Sequence, residues 1–372
     1  MFDDPASWRR SRAQTLGQRL AERGVSRRAF LKFASAMASS MALAPSMAAA
    51  MAENLAKARR QSVIWLSFQE CTGCTESITR SFSPTLEELI FDFISLDYSE
   101  TLMDVSGSLA EDARQKAMAE NKGKYILVVE GSISLKDGGI YSAAAGEANI
   151  DVLKDSAKDA LAIIAVGSCA TFGGIPAAYP NPTGAVGVVD IIKDKPVINV
   201  PGCPPIAEVM TGTISYLLSF GKIPELDHLH RPRAFYGETI HDRCYRRPFY
   251  ERGEFAKSFD DDGARKGYCL FEVGCKGPIT YNSCATTKWN GGVSFPIQSG
   301  HGCLGCSEPD FWDKGGFYEP LSTHPGRMGE LAAGAAVAGA AGGIATAAIL
   351  RTRRNKAIEA AKVAPTGGAK ND

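Results

Sequence analysis

The sequence has no excess of either charge, because its 41 lysine and arginine residues equal its 41 aspartate and glutamate residues. A chain without a basic excess has no general attraction for nucleic acid, so we expect no nucleic-acid partner. Histidine is also scarce, with 5 residues among 372. Charged residues make up 22% of the chain and 17 Phe are present, so most of it should fold, and its length suffices for two domains.

Cysteine is the residue type that stands out, with 10 residues whose spacing groups them with one histidine. Thiolates are the usual ligands of iron-sulfur clusters, and one imidazole in place of a thiolate makes a cluster less negative. The pattern therefore predicts an electron-transfer chain rather than structural zinc. The predicted ligand sets are Cys71, Cys74, Cys169 and Cys203; His241, Cys244, Cys269 and Cys275; and Cys284, Cys303 and Cys306.

The amino-terminal segment has the pattern of an export signal. Arg27 and Arg28 stand before a mildly apolar run, which ends in the small residues Ala48, Ala49 and Ala50. This pattern predicts a twin-arginine signal peptide over residues 1–50, with a cut after Ala50. An amphipathic helix with an accidental arginine pair is the alternative. Export would place the protein on the periplasmic side of the cell membrane.

The carboxyl-terminal segment contains an uncharged run from Leu331 to Leu350, followed by a basic cluster that begins at Arg351. A helix of that length would span about 30 Å, enough to cross the hydrocarbon core of a bilayer. We therefore expect a transmembrane anchor over 331–350 and a cytoplasmic tail over 351–372. Because the run is rich in alanine and glycine, a soluble linker remains the alternative.

Two other interpretations of the cysteines also stay open. An exported chain with an even number of cysteines can form disulfides, although disulfide frameworks belong mainly to small domains that lack a core. The Cys71-x-x-Cys74 pair by itself is also typical of a thioredoxin-like redox site.

Residues 51–224 alternate apolar runs with helix-like segments, which predicts an α/β domain built on a doubly wound parallel sheet. The predicted strands cover 62–67, 125–130, 161–166 and 196–200, and the predicted helices lie near 84–91, 108–121, 149–160 and 205–219. Cysteines 71, 169 and 203 each follow a predicted strand. Because ligand sites of such sheets form at the carboxyl ends of the strands, these cysteines are expected to share one site.

Residues 225–325 show little periodicity and are rich in glycine, proline and aromatic residues. Most of the predicted ligands nevertheless lie here. We expect a loop-rich domain that packs around its clusters, so that its folding depends on iron.

Several stretches of this chain together resemble the small, electron-transferring subunit of membrane-bound nickel-iron hydrogenases. The resemblance extends from residue 62 to about residue 320. The matching stretches are Trp65 through Glu76, Gly167-Ser-Cys-Ala170, Pro201-Gly-Cys-Pro-Pro205, Ile240 through Pro248, Gly274-Cys-Lys-Gly-Pro278 with Asn282-Ser-Cys284, and Gly300 through Glu308.

The resemblance implies a flavodoxin-like domain followed by a cluster-binding domain, with two 4Fe-4S clusters and one 3Fe-4S cluster. Pro296 would occupy the place of a fourth medial ligand, and a prolyl ring cannot bind iron. Glycine at 73 and 174, where oxygen-tolerant members have additional cysteines, implies an ordinary proximal cubane. The implied ligands are Cys71, Cys74, Cys169 and Cys203 for a proximal 4Fe-4S cluster; Cys284, Cys303 and Cys306 for a medial 3Fe-4S cluster; and His241, Cys244, Cys269 and Cys275 for a distal 4Fe-4S cluster.

The same resemblance implies the partners. No nickel site remains once the clusters have taken their ligands, so hydrogen chemistry would occur on a large partner subunit. This chain would pass electrons to a membrane acceptor such as a b-type cytochrome, while its anchor lies in the lipid bilayer. A related iron-sulfur subunit of a different oxidoreductase complex is the alternative function.

Two details concern the distal site. His301 is close enough to Cys303 in sequence to compete as a ligand, but His241 pairs with Cys244 at the spacing that matches the family. Arginines 243, 246 and 247 beside that pair predict a positive surface patch that could guide an electron partner.

Overall fold

A five-stranded parallel sheet organises the first half of the chain. The structure, a computed structural model, describes residues 14–41, 43–313 and 317–321. The strands lie in the order β2-β1-β3-β4-β5, which is the flavodoxin-like order and confirms the predicted doubly wound sheet. The strands are β1 (Gln61–Ser67), β2 (Ile94–Ser99), β3 (Ile126–Glu130), β4 (Ala162–Val166) and β5 (Val197–Val200).

Every residue of the central strands β3 and β4 is buried, because helices cover both faces of the sheet. Side chains alternate between the faces along each strand. On β1, Val63 and Trp65 join one core while Ile64 and Leu66 join the other.

Eight helices, labelled α1 to α8, precede, surround or follow the strands of the sheet. Helices α3, α4 and α8 cover one face of the sheet, and α5, α6 and α7 contribute to the core on the other. Their bounds are α1 (Leu16–Glu22), α2 (Arg27–Ser40), α3 (Pro45–Lys57), α4 (Gly73–Thr79), α5 (Ser108–Glu120), α6 (Asn149–Ala157), α7 (Gly167–Phe172) and α8 (Ala207–Phe220). Shorter helical segments are Leu86–Glu88, Leu89–Phe93, Lys136–Gly139, Gly174–Ala177 and Val188–Ile191, and paired two-residue strands are Ile133–Ser134 with Ala185–Val186 and Ala143–Ala144 with Glu147–Ala148.

Strand β2 was not predicted from the sequence. It is an edge strand that pairs with β1 alone among the described strands, and it carries Ser95, Asp97 and Ser99 between its apolar residues. A π-helical turn, Leu89–Phe93, runs directly into it without glycine or proline. The local pattern therefore lacks both the long apolar run and the turn residues that mark the other strands.

Beyond residue 224 the described chain consists of loops and helical turns of at most five residues, as predicted. Its core residues, such as Phe235, Ile240 and Phe295, join the same apolar cluster as Val63 and Trp65 of the sheet. The two regions accordingly belong to one compact unit that ends at Pro320. The helical segments are Arg233–Tyr236, His241–Arg243, Arg247–Glu251, Asp262–Arg265, Phe271–Val273, Gly277–Ile279 and Ser283–Ala285.

Helices α1 to α3 at the amino terminus pack against the sheet domain. Met41, Met51 and Leu55 are buried in the same core as Met210 of α8. Helix α3 runs across Ala50, where the signal peptide is predicted to be cut, and cleavage stays a prediction.

At the other end, the predicted anchor (331–350) and tail (351–372) lie outside the described residues. Among the helices that are described, none combines the length and apolar character that crossing a membrane requires.

Candidate metal centres

Four cysteines meet at the carboxyl edge of the sheet, as the strand pattern predicted. Cys71 and Cys74 form the turn into α4, Cys169 lies in α7 directly after β4, and Cys203 follows β5. Every pair among these thiols interacts electrostatically. Residues separated by more than a hundred positions are thereby brought to one place, which we call the proximal site.

Burial raises the pKa of three of these thiols, those of Cys74, Cys169 and Cys203. It is the largest cause of the rise for Cys169, to about 11, and for Cys203, to about 12. The pKa of Cys74 rises well above its usual range, first through burial and then through Glu130 and the other thiols. Without a metal, Cys74, Cys169 and Cys203 are protonated at neutral pH, so cluster binding at these three thiols must release protons.

Glu130 is the proximal residue that the sequence analysis missed. It ends β3, is 1% exposed, and accepts hydrogen bonds from the N–H of Cys74 at 2.9 Å and the indole N–H of Trp65 at 3.2 Å. The hydroxyl of Thr75 donates to it at 2.5 Å. The carboxylate therefore fixes the backbone of the Cys71–Cys74 turn. Its position at the end of an apolar strand, beside the cysteines that end neighbouring strands, was the available signal.

Glycines border the proximal thiols closely. A β-carbon at Gly167 would lie 2.4 Å from the sulfur of Cys74, and Gly167 has φ +84°. At Gly174 a β-carbon would lie 2.7 Å from the sulfur of Cys169. At Gly73 it would lie 3.1 Å from the sulfur of Cys71. Side chains at 73 and 174 would accordingly point at this site, which is where the resemblance puts the additional cysteines of oxygen-tolerant members.

The glutamates that flank the Cys71–Cys74 turn differ in environment. Glu76 is exposed and forms an ion pair with Arg80 at 2.6 Å. Burial, and then Glu130, raises the pKa of Glu70, whose carboxylate accepts a hydrogen bond from the Thr72 hydroxyl at 3.2 Å.

The predicted distal ligands His241, Cys244, Cys269 and Cys275 all line one small cavity, which we call the distal site. Its three thiols interact pairwise. Burial raises the pKa of Cys269 to about 11. Burial, and then Arg247, lowers the pKa of His241, which favours the neutral imidazole that binds metals.

His301, the competing imidazole, is engaged elsewhere. Its Nδ1 lies 2.8 Å from the carbonyl oxygen of Gly302 and its Nε2 lies 3.4 Å from the hydroxyl of Tyr318. Its ring stacks on Phe259 with a centroid distance of 6.0 Å. The geometry thus favours His241 over His301 as the imidazole of the distal site.

Cys284, Cys303 and Cys306 form the third group, the medial site. Burial and then Cys306 raise the pKa of Cys284, while burial, Cys275 and Cys306 raise that of Cys303. Cys306 therefore lies near both other thiols. Pro296 is exposed, and its carbonyl accepts hydrogen bonds from the N–H groups of Ser299 and His301 in a turn.

Two direct contacts join the three sites in one order. Burial raises the pKa of the Cys306 thiol, and a hydrogen bond from the backbone of Cys203 opposes that rise. This hydrogen bond links the proximal and medial sites. The N–H of Cys303 donates to the sulfur of Cys275 at 3.3 Å, linking the medial and distal sites. The order proximal, medial, distal follows from these contacts alone.

All ten cysteines are free thiols, which argues against a disulfide framework. Within the part of the chain that the structure describes, no three His, Cys, Asp or Glu side chains converge tightly enough to hold a single metal ion.

The predicted positive surface patch near the distal site is wrong. Arg246 is buried and lines the distal cavity, where its guanidinium donates to the carbonyl of Tyr268 at 2.7 Å. Arg243 pairs with Glu238 at 2.6 Å, and Arg247 pairs with Glu251 at 3.0 Å. Burial and local carboxylates thus remove the free charge that the sequence suggested.

A second buried cation supports the medial site and was also missed. Arg231 is 1% exposed and pairs with Asp227 at 2.7 Å and with Glu308 at 2.9 Å. It also donates to the carbonyl of Ser307, the residue after Cys306, at 3.1 Å. Arg231 therefore ties the medial loop to the segment that follows the sheet domain.

Two family models match the chain. Residues 71–217 match NADH ubiquinone oxidoreductase, 20 Kd subunit, and residues 236–319 match the C-terminal model of the NiFe/NiFeSe hydrogenase small subunit. The first match contains the whole proximal site, and the second contains the medial and distal sites.

Curated relatives cover nearly the whole chain. The uptake hydrogenase small subunit of Azotobacter vinelandii is 50% identical over 335 residues, which are 89% of this chain and 94% of that protein. The uptake hydrogenase small subunit of Rhizobium leguminosarum bv. viciae is 48% identical over 93% of this chain and 99% of its own length.

Solved structures share the fold. A chain of the reduced, active Ni-Fe-Se hydrogenase from Desulfomicrobium baculatum aligns with a TM-score of 0.67 at 35% identity, over 71% of this chain and 100% of that chain. A chain of the actinobacterial-type NiFe-hydrogenase from Ralstonia eutropha H16 aligns with a TM-score of 0.64 at 25% identity, over 84% of this chain and 94% of that chain.

Proposed function

The chain belongs to the family of nickel-iron hydrogenase small subunits, and from that premise we propose that it relays electrons from H2 oxidation to an acceptor in the membrane. The active site of this heterodimer lies on the large subunit. Iron-sulfur clusters bound here would supply one-electron carriers. The match of residues 236–319 to a hydrogenase model favours this family over the other oxidoreductase complexes considered.

The residues that would hold the clusters are the three sets already described. The proximal set offers four thiolates and the distal set three thiolates with one imidazole, which suit 4Fe-4S clusters. The medial set offers three thiolates, which suits a 3Fe-4S cluster. The observation that carries this proposal is the pair of contacts from Cys203 to Cys306 and from Cys303 to Cys275, since they arrange the sites as a series.

The large subunit is proposed to dock at the proximal edge of the sheet. Cys71 is exposed there. Ile175, whose backbone hydrogen-bonds Cys169, is 44% exposed, and Tyr179 is 89% exposed. Large exposed apolar side chains around a redox site indicate a protein interface.

Export and membrane attachment complete the proposal. Arg27 and Arg28 are exposed in the first turn of α2, where the Ser26 hydroxyl accepts a hydrogen bond from the N–H of Ala29 at 3.2 Å. An exposed arginine pair is accessible to an export receptor. We propose that the mature protein lies on the periplasmic side, held by residues 331–350, and that a b-type cytochrome accepts its electrons.

Metal analysis of the anaerobically purified heterodimer tests this function. The small subunit should contain about eleven irons, and the oxidised protein should show the electron paramagnetic resonance signal of a 3Fe-4S cluster. Nickel should be present in the large subunit. A complex without nickel would point to the other oxidoreductase class, and a small subunit with four or fewer irons would contradict the relay.

A further inference from the structure

Lys276 occupies a buried position between the medial and distal sites. It follows the distal residue Cys275 and is 7% exposed. Its N–H donates to the carbonyl of the medial residue Cys303 at 2.7 Å, and its own carbonyl accepts from the Thr280 hydroxyl at 2.7 Å. Its backbone therefore follows a distal residue in the chain and is hydrogen-bonded to a medial one.

The side chain of Lys276 is held as firmly as its backbone. Its ammonium donates to the carbonyl of Glu319 in the segment that leads toward the carboxyl terminus. Its stem runs beside Gly305 in the medial loop, where a β-carbon would lie 3.5 Å from Cβ of Lys276. Lysine is almost never buried in proteins without a specific reason.

The ammonium of Lys276 interacts electrostatically with its chain neighbour Cys275, one of the distal thiols. A charge in a poorly solvated interior acts more strongly on its neighbours than one in water, because solvent does not screen it.

We infer that Lys276 tunes the relay: its buried ammonium stabilises the more negative, reduced forms of the medial and distal clusters and so raises both reduction potentials. The inference rests on the proposed cluster relay. Reduction adds one electron to each cluster and breaks no bond, so the effect is electrostatic.

Redox titration of the assembled, full-length heterodimer tests this role. The variants are Lys276→Met and Lys276→Gln, which remove the charge, and Lys276→Arg, which keeps it. The electron paramagnetic resonance signals of the oxidised medial cluster and of the reduced distal cluster report the fraction of each cluster that is reduced at each applied potential. In both neutral variants we expect a roughly tenfold lower ratio of reduced to oxidised cluster at a fixed potential, which equals about 59 mV for a one-electron couple.

Lys276→Arg should stay near the wild-type potentials, and so should the control Lys266→Met, which removes an exposed lysine of the same region. Unchanged potentials in fully loaded neutral variants would overturn the inference. Loss of iron in both neutral variants, with Lys276→Arg intact, would also overturn it, by assigning Lys276 to loop structure alone. Absence of the cluster signals from the wild type would instead refute the proposed relay.

Discussion

Replacing Gly167 by alanine tests the geometry of the proximal site. The new methyl carbon would lie 2.4 Å from the sulfur of Cys74, whereas heavy atoms in contact are about 3.5–4.0 Å apart. Either Cys74 or the junction of β4 and α7 must therefore move by about 1 Å. Because Cys74 is a predicted ligand, we expect the variant to lose the proximal cluster.

The loss of folding free energy in Gly167→Ala has two parts, backbone strain and steric overlap, which a control variant can separate. Alanine at φ +84° strains the backbone by about 1–2 kcal/mol. Forcing a methyl group into filled space adds about 1–3 kcal/mol. Gly221 is the matched control, because it has φ +60° but no atom within 4 Å of a β-carbon. Gly221→Ala should show the backbone strain only.

The assay is iron content per small subunit, together with thermal unfolding under anaerobic conditions. Iron should fall from about eleven to about seven in Gly167→Ala, since four irons belong to a proximal cubane, and stay at about eleven in Gly221→Ala. Equal iron content and equal loss of stability in the two variants would show that Gly167 does not border Cys74 as described.

Other predictions concern Glu130, the medial site and the two ends of the chain. Glu130→Gln replaces one buried acceptor oxygen by a donor, so the free energy of unfolding should fall by about 1–3 kcal/mol, measured by anaerobic denaturation of the assembled protein; an unchanged midpoint would contradict the role of Glu130. Pro296→Cys should let the medial site hold a 4Fe-4S cluster of lower potential, and an unaltered oxidised-state spectrum in a fully loaded variant would argue against the assignment. Replacing Arg27 and Arg28 by lysine should leave both subunits in the cytoplasm by cell fractionation, unless the partner has its own export route. Deleting 331–372 should release an active complex from the membrane, and a truncated complex that stayed membrane-bound would refute the anchor.

Much of the fold was predictable from local pattern. The apolar runs that became β1, β3, β4 and β5 are long enough and well enough bounded to be recognised without tertiary information. Strand β2 was not recognised, because it alternates polar with apolar residues and no glycine or proline marks its start. The loop-rich region after residue 224 was also predicted, since it lacks any period.

The grouping of the cysteines was partly predictable too. Cysteines that follow parallel strands must meet at one edge of the sheet, so the proximal set follows from the strand pattern. The arginines near His241 show the limit of this reasoning. Sequence proximity suggested a charged surface, but Arg246 turns inward while Arg243 and Arg247 pair with carboxylates.

By itself the sequence determined the residue types, the strand ends at which the proximal cysteines stand, and the number of thiols available to each site. Tertiary structure alone decided that Glu130 supports the proximal turn, that Cys306 lies against Cys203, and that Lys276 is buried between two sites. The physical reason is that periodicity encodes which face of an element is buried, whereas contacts between loops depend on how distant segments pack. Burial then shifts the pKa of the enclosed thiols, and contacts between loops decide which sites adjoin; neither is written in local pattern.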